Sequence, residues 1–122
     1  MQRILGIDPG SRTTGFGIIE QRHPKAEPIC LLGGCIRLTA KAIPERLSKL
    51  LDEIQDIVKT YHPTVLAIEQ IFVHKSAHSA LKLGQARGVA IAAAVGGGLP
   101  VFEYAPRQIK QAVVGRGSAD KQ

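Results

Sequence analysis

Two carboxylates follow directly on short apolar runs, which is the arrangement that places an acid at the rim of a β-sheet. Asp8 comes after the run at 4–7 and before the pair Pro9-Gly10, a strong turn signal, and Glu69 follows the run at 65–68. An unpaired carboxylate is costly to bury, so an acid at a strand end usually faces a cation or hydrogen-bond donors. The function therefore depends on whether these two acids reach the same place.

Two adjacent carboxylates repel one another unless a cation or a proton lies between them. Hard oxygen ligands at a sheet edge suit Mg²⁺, and Mn²⁺ is also possible, because both ions keep several waters and bind substrate phosphate. Such a pair is half of a two-metal phosphodiester site. The spacing leaves another interpretation open, in which Asp8 caps its own turn through Ser11 or Arg12 and Glu69 pairs with a nearby arginine.

The pattern of the chain predicts the element order βββαβαβα, an α/β fold with a mixed five-stranded sheet flanked by helices. Short loops predict that the first three strands form an antiparallel meander, and a right-handed crossover predicts that the first and fourth strands are parallel neighbours. Parallel neighbours end at the same edge, so Asp8 and Glu69 should lie close together. The expected strands are 3–8, 15–20, 29–38 with a bulge or bend at Gly33-Gly34, 65–69 and 99–104, and the expected helices are 44–61, 76–95 and 106–114.

Two glycines lower the intrinsic stability of the predicted second helix. Gly84 and Gly88 each lower helix propensity by about 1 kcal/mol relative to alanine. Close approach of another backbone would offset that cost. The neighbour could be the chain's own sheet or the same helix of a second copy, and the sequence favours neither.

Length and charge narrow the class of protein. The 122 residues suit a single domain, 1–122, and carry 16 Lys and Arg against 10 Asp and Glu, a net charge of +6. Residues 62–122 hold seven basic and only three acidic side chains, which favours a polyanionic partner, nucleic acid first. No apolar run approaches the roughly 20 residues of a membrane span. Cys30 and Cys35 lack zinc-site neighbours, so we expect free thiols in a reducing cytoplasm.

Residues 4–19, 67–94 and 99–121 closely resemble the RuvC family of Holliday-junction resolvases, over nearly the whole chain. The resemblance implies a ribonuclease-H-like fold, a homodimer, Mg²⁺-dependent endonuclease activity and a four-way DNA junction as substrate. It also implies association with the branch-migration proteins RuvA and RuvB.

By position in the resembling segments, Asp8 and Glu69 match the family's first two catalytic, metal-binding acids. Phe72 matches an aromatic residue at the junction centre, although a helix-staple contact would also explain it. Lys110 and Lys121 match basic residues near the scissile backbone, although both could be ordinary surface lysines. Weaker candidates for contacts with the duplex arms are Lys75, Lys82 and Arg87.

The chain departs from the family at its end. Relatives continue into a further helix with two more catalytic acids, whereas this sequence ends at Gln122, so two of four expected acids are present. We therefore expect the 122-residue chain to be nearly inactive. Two alternatives compete with the nuclease: a non-catalytic module that binds branched DNA, and an ATP-binding lobe of the actin-like or sugar-kinase type, for which the chain lacks the second lobe.

Overall fold

The computed structural model describes residues 2–70 and 77–104, which form five strands and two helices. The predicted element order is confirmed as far as the fifth strand, and the helix predicted at 106–114 lies outside the described residues. The strands are β1 (Gln2–Asp8), β2 (Thr13–Gln21), β3 (Ile29–Arg37), β4 (Val65–Glu69) and β5 (Val101–Tyr104), and the helices are α1 (Ile43–Tyr61) and α2 (Ala77–Gly96).

The five strands form one mixed sheet in the order β3-β2-β1-β4-β5. β1, β2 and β3 are antiparallel neighbours, while β4 pairs in parallel with β1 and with β5. This topology confirms the predicted α/β class and the predicted placement of the first and fourth strands side by side. The crossover from β1 to β4 contains α1, as a parallel connection requires.

α1 forms where the sequence predicts it. Pro44 lies in its first turn, where the missing N–H is not needed. The helix ends at His62, whose φ of 51° is left-handed, followed by Pro63. Its buried residues are Leu50, Ile54, Ile57 and Val58, which recur at three- and four-residue steps on one face of the helix.

The buried face of α2 consists of alanines. Its buried residues are Ala86, Ala90, Ala93 and Ala94, which pack into the same core as α1 and the sheet. Gly84 and Gly88 are exposed, and a Cβ on either would meet no atom of the described residues within 4 Å. Close approach to the chain's own sheet is thus not what offsets their cost.

The close helix–helix approach occurs instead just after α2. A Cβ on Gly97 would lie only 2.8 Å from Cγ1 of Val58 in α1. The next residue, Gly98, has a φ of +88°, which favours glycine.

The bulge in β3 is also displaced from its predicted position. The β2–β3 register shifts between Ile18 and Ile19, which pair with Leu32 and Cys30, so Leu31 is the extra residue. Gly34 serves a different purpose: a Cβ there would lie 3.2 Å from the ring of Phe16, its cross-strand partner.

Core side chains from the sheet lie on one face. Leu5, Ile7, Ile18, Leu66 and Ile68 are fully buried and cluster with the buried residues of both helices. Because successive strand residues point to opposite faces, Asp8 and Glu69 belong to the other face. Among residues 2–70 and 77–104, no helix is long and apolar enough to cross a membrane.

Candidate active site

The strand register brings Asp8 and Glu69 to neighbouring positions. Ile7 pairs with Ile68 in the parallel β1–β4 ladder, and the two acids are the next residue on each strand. Neighbouring strands are about 4.8 Å apart, and paired residues share a face, so the two side chains start side by side. Both acids are half-buried, whereas Ile7 and Ile68 are fully buried. This is the juxtaposition predicted from the topology.

The turn after Asp8 is stabilised without the Asp8 carboxylate. The hydroxyl of Thr14, which is fully buried, donates to the Gly10 carbonyl at 3.1 Å and accepts from the Gly10 N–H at 3.2 Å. A Cβ on Gly10 would clash with the carbonyl oxygen of Thr13, so the turn requires glycine at this position. Within the described residues, Asp8 makes no hydrogen bond to Ser11 or Arg12. The interpretation of Asp8 as a cap of its own turn is therefore wrong.

The strand on the other side of β1 leaves space beside Asp8. Asp8 pairs with Gly15 of β2, and among the described residues a Cβ on Gly15 would meet only the Asp8 Cβ, at 3.8 Å. Any larger side chain at position 15 would stand next to the carboxylate, since paired residues share a face. Gly15 thus keeps one flank of Asp8 open.

An arginine of α2 contacts the end of β4. Arg87 Nε donates to the main-chain carbonyl of Glu69 at 3.2 Å, and Arg87 Nη2 forms an ion pair with Glu103 Oε2 of β5 at 3.0 Å. The nearby arginine expected from the sequence is thus present, but these two bonds go to the Glu69 backbone and to the carboxylate of Glu103. They give Arg87 a role inside the protein that its sequence position did not suggest.

The other predicted site residues divide into two groups. Lys82 is half-buried on α2, and Gly84 and Gly88 lie on the exposed side of the same helix. The remaining four fall outside the described residues: Phe72, Lys75, Lys110 and Lys121.

The donor set fits a hard divalent cation. Mg²⁺ is usually bound by one or two carboxylates together with waters and substrate phosphate, rather than by a complete protein cage. Asp8 and Glu69 supply such a pair at a half-exposed strand end, while no group of three or more His, Cys, Asp or Glu occurs within the described part of the chain. Cys30 and Cys35 are free, as predicted.

Sequence reasoning missed three residues that shape this site: Thr14, Gly15 and Glu103. The pair Pro9-Gly10 signalled a turn, but nothing in the sequence indicated that a strand threonine closes it. The roles of Gly15 and Glu103 depend on cross-strand neighbours, which only the register reveals.

Comparison with known proteins shows similarity to one family of enzymes along nearly the whole chain. The family model of crossover junction endodeoxyribonuclease RuvC matches residues 4–122. The RuvC enzyme of Methylococcus capsulatus is 54% identical over 121 residues, which is 99% of this chain and 72% of that protein. The enzyme of Dichelobacter nodosus is 58% identical over 119 residues, 98% of this chain and 66% of that protein.

A solved structure shows the same fold. The structure of T. thermophilus RuvC in complex with a Holliday junction substrate superposes with a TM-score of 0.80 at 26% identity. The match covers 92% of this chain and 69% of that one.

Proposed function

The chain belongs to the RuvC family of crossover junction endodeoxyribonucleases, and we propose that it hydrolyses phosphodiester bonds at four-way DNA junctions with Asp8 and Glu69 as catalytic acids. The observation that carries this proposal is the β1–β4 register, which sets the two acids side by side at the carboxyl edge of the sheet. Their half-burial supports it, because a carboxylate at this edge is accessible from solvent.

We propose Mg²⁺, with Mn²⁺ as a substitute, as the ion that Asp8 and Glu69 hold. When bound, such an ion activates water and stabilises the charge on the leaving oxygen. The residues of this chain provide two oxygen donors on neighbouring strands, a turn closed by Thr14, and a glycine, Gly15, beside Asp8 on β2.

The exposed side of α2 supports a homodimer. Leu81 and Val95 are 69% and 55% exposed, and Gly84, Gly88 and Ala92 lie exposed between them at helical spacing. An apolar stripe with small residues at its centre lets two helices approach closely. A two-fold dimer would also supply two active sites with the symmetry of a four-way junction.

The net charge of +6 supports binding to DNA backbones. We propose Phe72, Lys110 and Lys121 as DNA contacts on the family resemblance, and Lys75 and Lys82 as further contacts with the duplex arms. Association with RuvA and RuvB and a cytoplasmic location belong to the same proposal.

The test is junction cleavage by the full-length gene product carrying Asp8→Asn or Glu69→Gln. Each substitution keeps the side-chain shape and removes one anionic ligand, so we expect cleavage to fall by about a hundredfold or more while junction affinity stays within about twofold. Asp52→Asn, an exposed acid on α1, is the matched control and should cleave normally.

The same assay separates the nuclease from a branched-DNA-binding module. Cleavage that requires a divalent ion and is lost in the Asp8→Asn variant supports the nuclease. Salt-sensitive junction binding by the unsubstituted protein, without cleavage in Mg²⁺ or Mn²⁺, would support the module instead.

A further inference from the structure

Arg87 connects three elements at the carboxyl edge of the sheet. From α2 its Nε reaches the carbonyl of Glu69, the last residue of β4, and its Nη2 reaches the carboxylate of Glu103 on β5. Its side chain is only 17% exposed, while that of Glu103 is 49% exposed. The guanidinium is therefore enclosed between the helix and the ends of the two strands.

The geometry of this contact restrains the residue that carries the second acid. Glu69 is the last residue of β4, and its pairing with Tyr104 is the last of the β4–β5 ladder. The hydrogen bond from the Arg87 guanidinium to the Glu69 carbonyl restrains the peptide plane at the end of β4. Because the donor is charged, this bond is stronger than one between neutral groups. The planar fork of arginine lets one side chain hold the Glu69 backbone and the Glu103 carboxylate together.

We propose that Arg87 is a positioning residue for Glu69, and that Glu103 holds the Arg87 guanidinium in place. This proposal rests on the proposed function, in which Glu69 is a metal ligand. Arg87 acts through the backbone of Glu69 from the helix side of the sheet. The Glu69 side chain starts on the opposite face, the face that Asp8 shares.

The competing role for Arg87 is a contact with a duplex arm. That role needs a guanidinium free to meet phosphate oxygens. Here the side chain is mostly enclosed and two of its nitrogens already have acceptors within the protein. The structure therefore favours Arg87 as a positioning residue for Glu69. Loss of Arg87 should weaken metal binding if it positions Glu69, and should weaken junction binding if it contacts a duplex arm.

The experiment compares Arg87→Gln, Arg87→Lys and Glu103→Gln in the full-length protein, with Lys49→Gln, an exposed lysine of α1, as the control for loss of one positive charge. Three quantities are measured: the Kd for Mn²⁺ from the electron paramagnetic resonance signal of the free ion, the junction Kd without divalent metal, and kcat. Partners that orient metal ligands typically change metal affinity by 10–100-fold, so Arg87→Gln should raise the Mn²⁺ Kd and lower kcat by about tenfold or more.

The junction Kd of Arg87→Gln and its salt dependence should stay within about twofold of those of the Lys49→Gln control. Arg87→Lys should recover part of the Mn²⁺ affinity, because one donor can still reach the Glu69 carbonyl. Glu103→Gln should shift Mn²⁺ affinity and kcat in the same direction by a smaller factor. If urea unfolding shows that Arg87→Gln does not fold, the same measurements on Glu103→Gln test the proposal, because Glu103 is half-exposed.

An increase in the junction Kd with an unchanged Mn²⁺ Kd would overturn the proposal in favour of a duplex contact. Unchanged values of all three quantities would also overturn it. Failure of the proposed function is recognised separately, because Asp8→Asn would then leave both Mn²⁺ binding and cleavage intact.

Discussion

At the scale of single residues, the candidate site depends on the neighbours of Asp8 on the two adjacent strands, which differ in size and charge. Gly15 leaves one flank open, and Glu69 adds a second carboxylate on the other. The sequence predicted the pairing of the acids, because strand ends and crossover handedness determine it. It did not predict the open flank, because the partner of Asp8 on β2 depends on a register that hydrophobic patterns alone do not specify.

The turn that follows Asp8 yields a prediction for Thr14. Thr14→Val keeps the shape of the side chain but removes both hydrogen bonds to Gly10, so that the part-buried N–H and carbonyl of Gly10 both lose their Thr14 partner. We expect the free energy of unfolding to fall by about 1–3 kcal/mol, measured by urea denaturation.

Thr13→Val is the matched control, since Thr13 is exposed at the start of the same strand, and it should change stability by less than about 0.5 kcal/mol. Equal effects of the two substitutions would show that the Thr14 hydroxyl does not stabilise the turn. If Thr14 also positions Asp8, the Thr14→Val variant will bind Mn²⁺ more weakly.

At the scale of elements, α2 shows what periodicity can and cannot establish. Its position along the chain follows from the pattern, and glycines lie at its end and directly after it. Which face of α2 is buried cannot be predicted from the pattern. Alanine and glycine recur around the whole helix, so the apolar residues do not mark one face. The alanines pack on the core, and the face with Gly84 and Gly88 is left exposed. α1 lacks this ambiguity, since its large apolar residues lie on one side and its acids on the other.

The exposed face of α2 yields a prediction for dimer formation. Gly88 is exposed, and a Cβ there would meet no atom of the described residues within 4 Å, so the Gly88→Leu protein should fold and gain helix stability of about 0.5–1 kcal/mol. The leucine side chain should hold a second α2 away and weaken dimerisation by at least about tenfold. Sedimentation equilibrium measures this change.

Gln55→Leu, which adds the same side chain at an exposed position of α1, should leave the dimer intact. A dimer of unchanged affinity in the Gly88→Leu protein would exclude this face of α2 as the contact.

At the scale of the whole molecule, the two ends of β1 carry different arrangements of charged side chains. At the amino end, Arg3 binds Glu20 of β2 at 2.8 Å and the Tyr61 carbonyl at the end of α1, joining three elements. The side chain of Glu20 is only 8% exposed, and Arg22 approaches it at 3.4 Å. At the carboxyl end, the two acids lie side by side. A stabilising ion pair and the proposed cation site thus lie at opposite ends of β1.

The Arg3–Glu20 pair yields a prediction about pH. The hydrogen bond from Arg3 lowers the pKa of Glu20 below its usual 4.5, and Arg22 lowers it further, while desolvation opposes them. The folded protein therefore binds this proton less tightly than the unfolded chain does. The contribution of Glu20 is fully present above pH 4.5 and is lost as the pH falls through the folded-state pKa.

Urea unfolding at a series of pH values measures this contribution. Glu20→Gln should be less stable than the unsubstituted protein at pH 7, and the difference should shrink as the pH falls below 4.5. Glu45→Gln, an exposed acid of α1, should follow the unsubstituted protein throughout. A constant difference between Glu20→Gln and the unsubstituted protein at every pH would contradict the assignment.

The central claim is that Asp8 and Glu69 together hold a divalent ion, and crystals soaked in Mn²⁺ test it most directly. The account predicts an anomalous difference peak between the two carboxylates, with an oxygen of each at about 2.1–2.2 Å, and no peak there in Asp8→Asn crystals. Mn²⁺ bound elsewhere, with both carboxylates free of metal in a protein that still cleaves junctions, would contradict it.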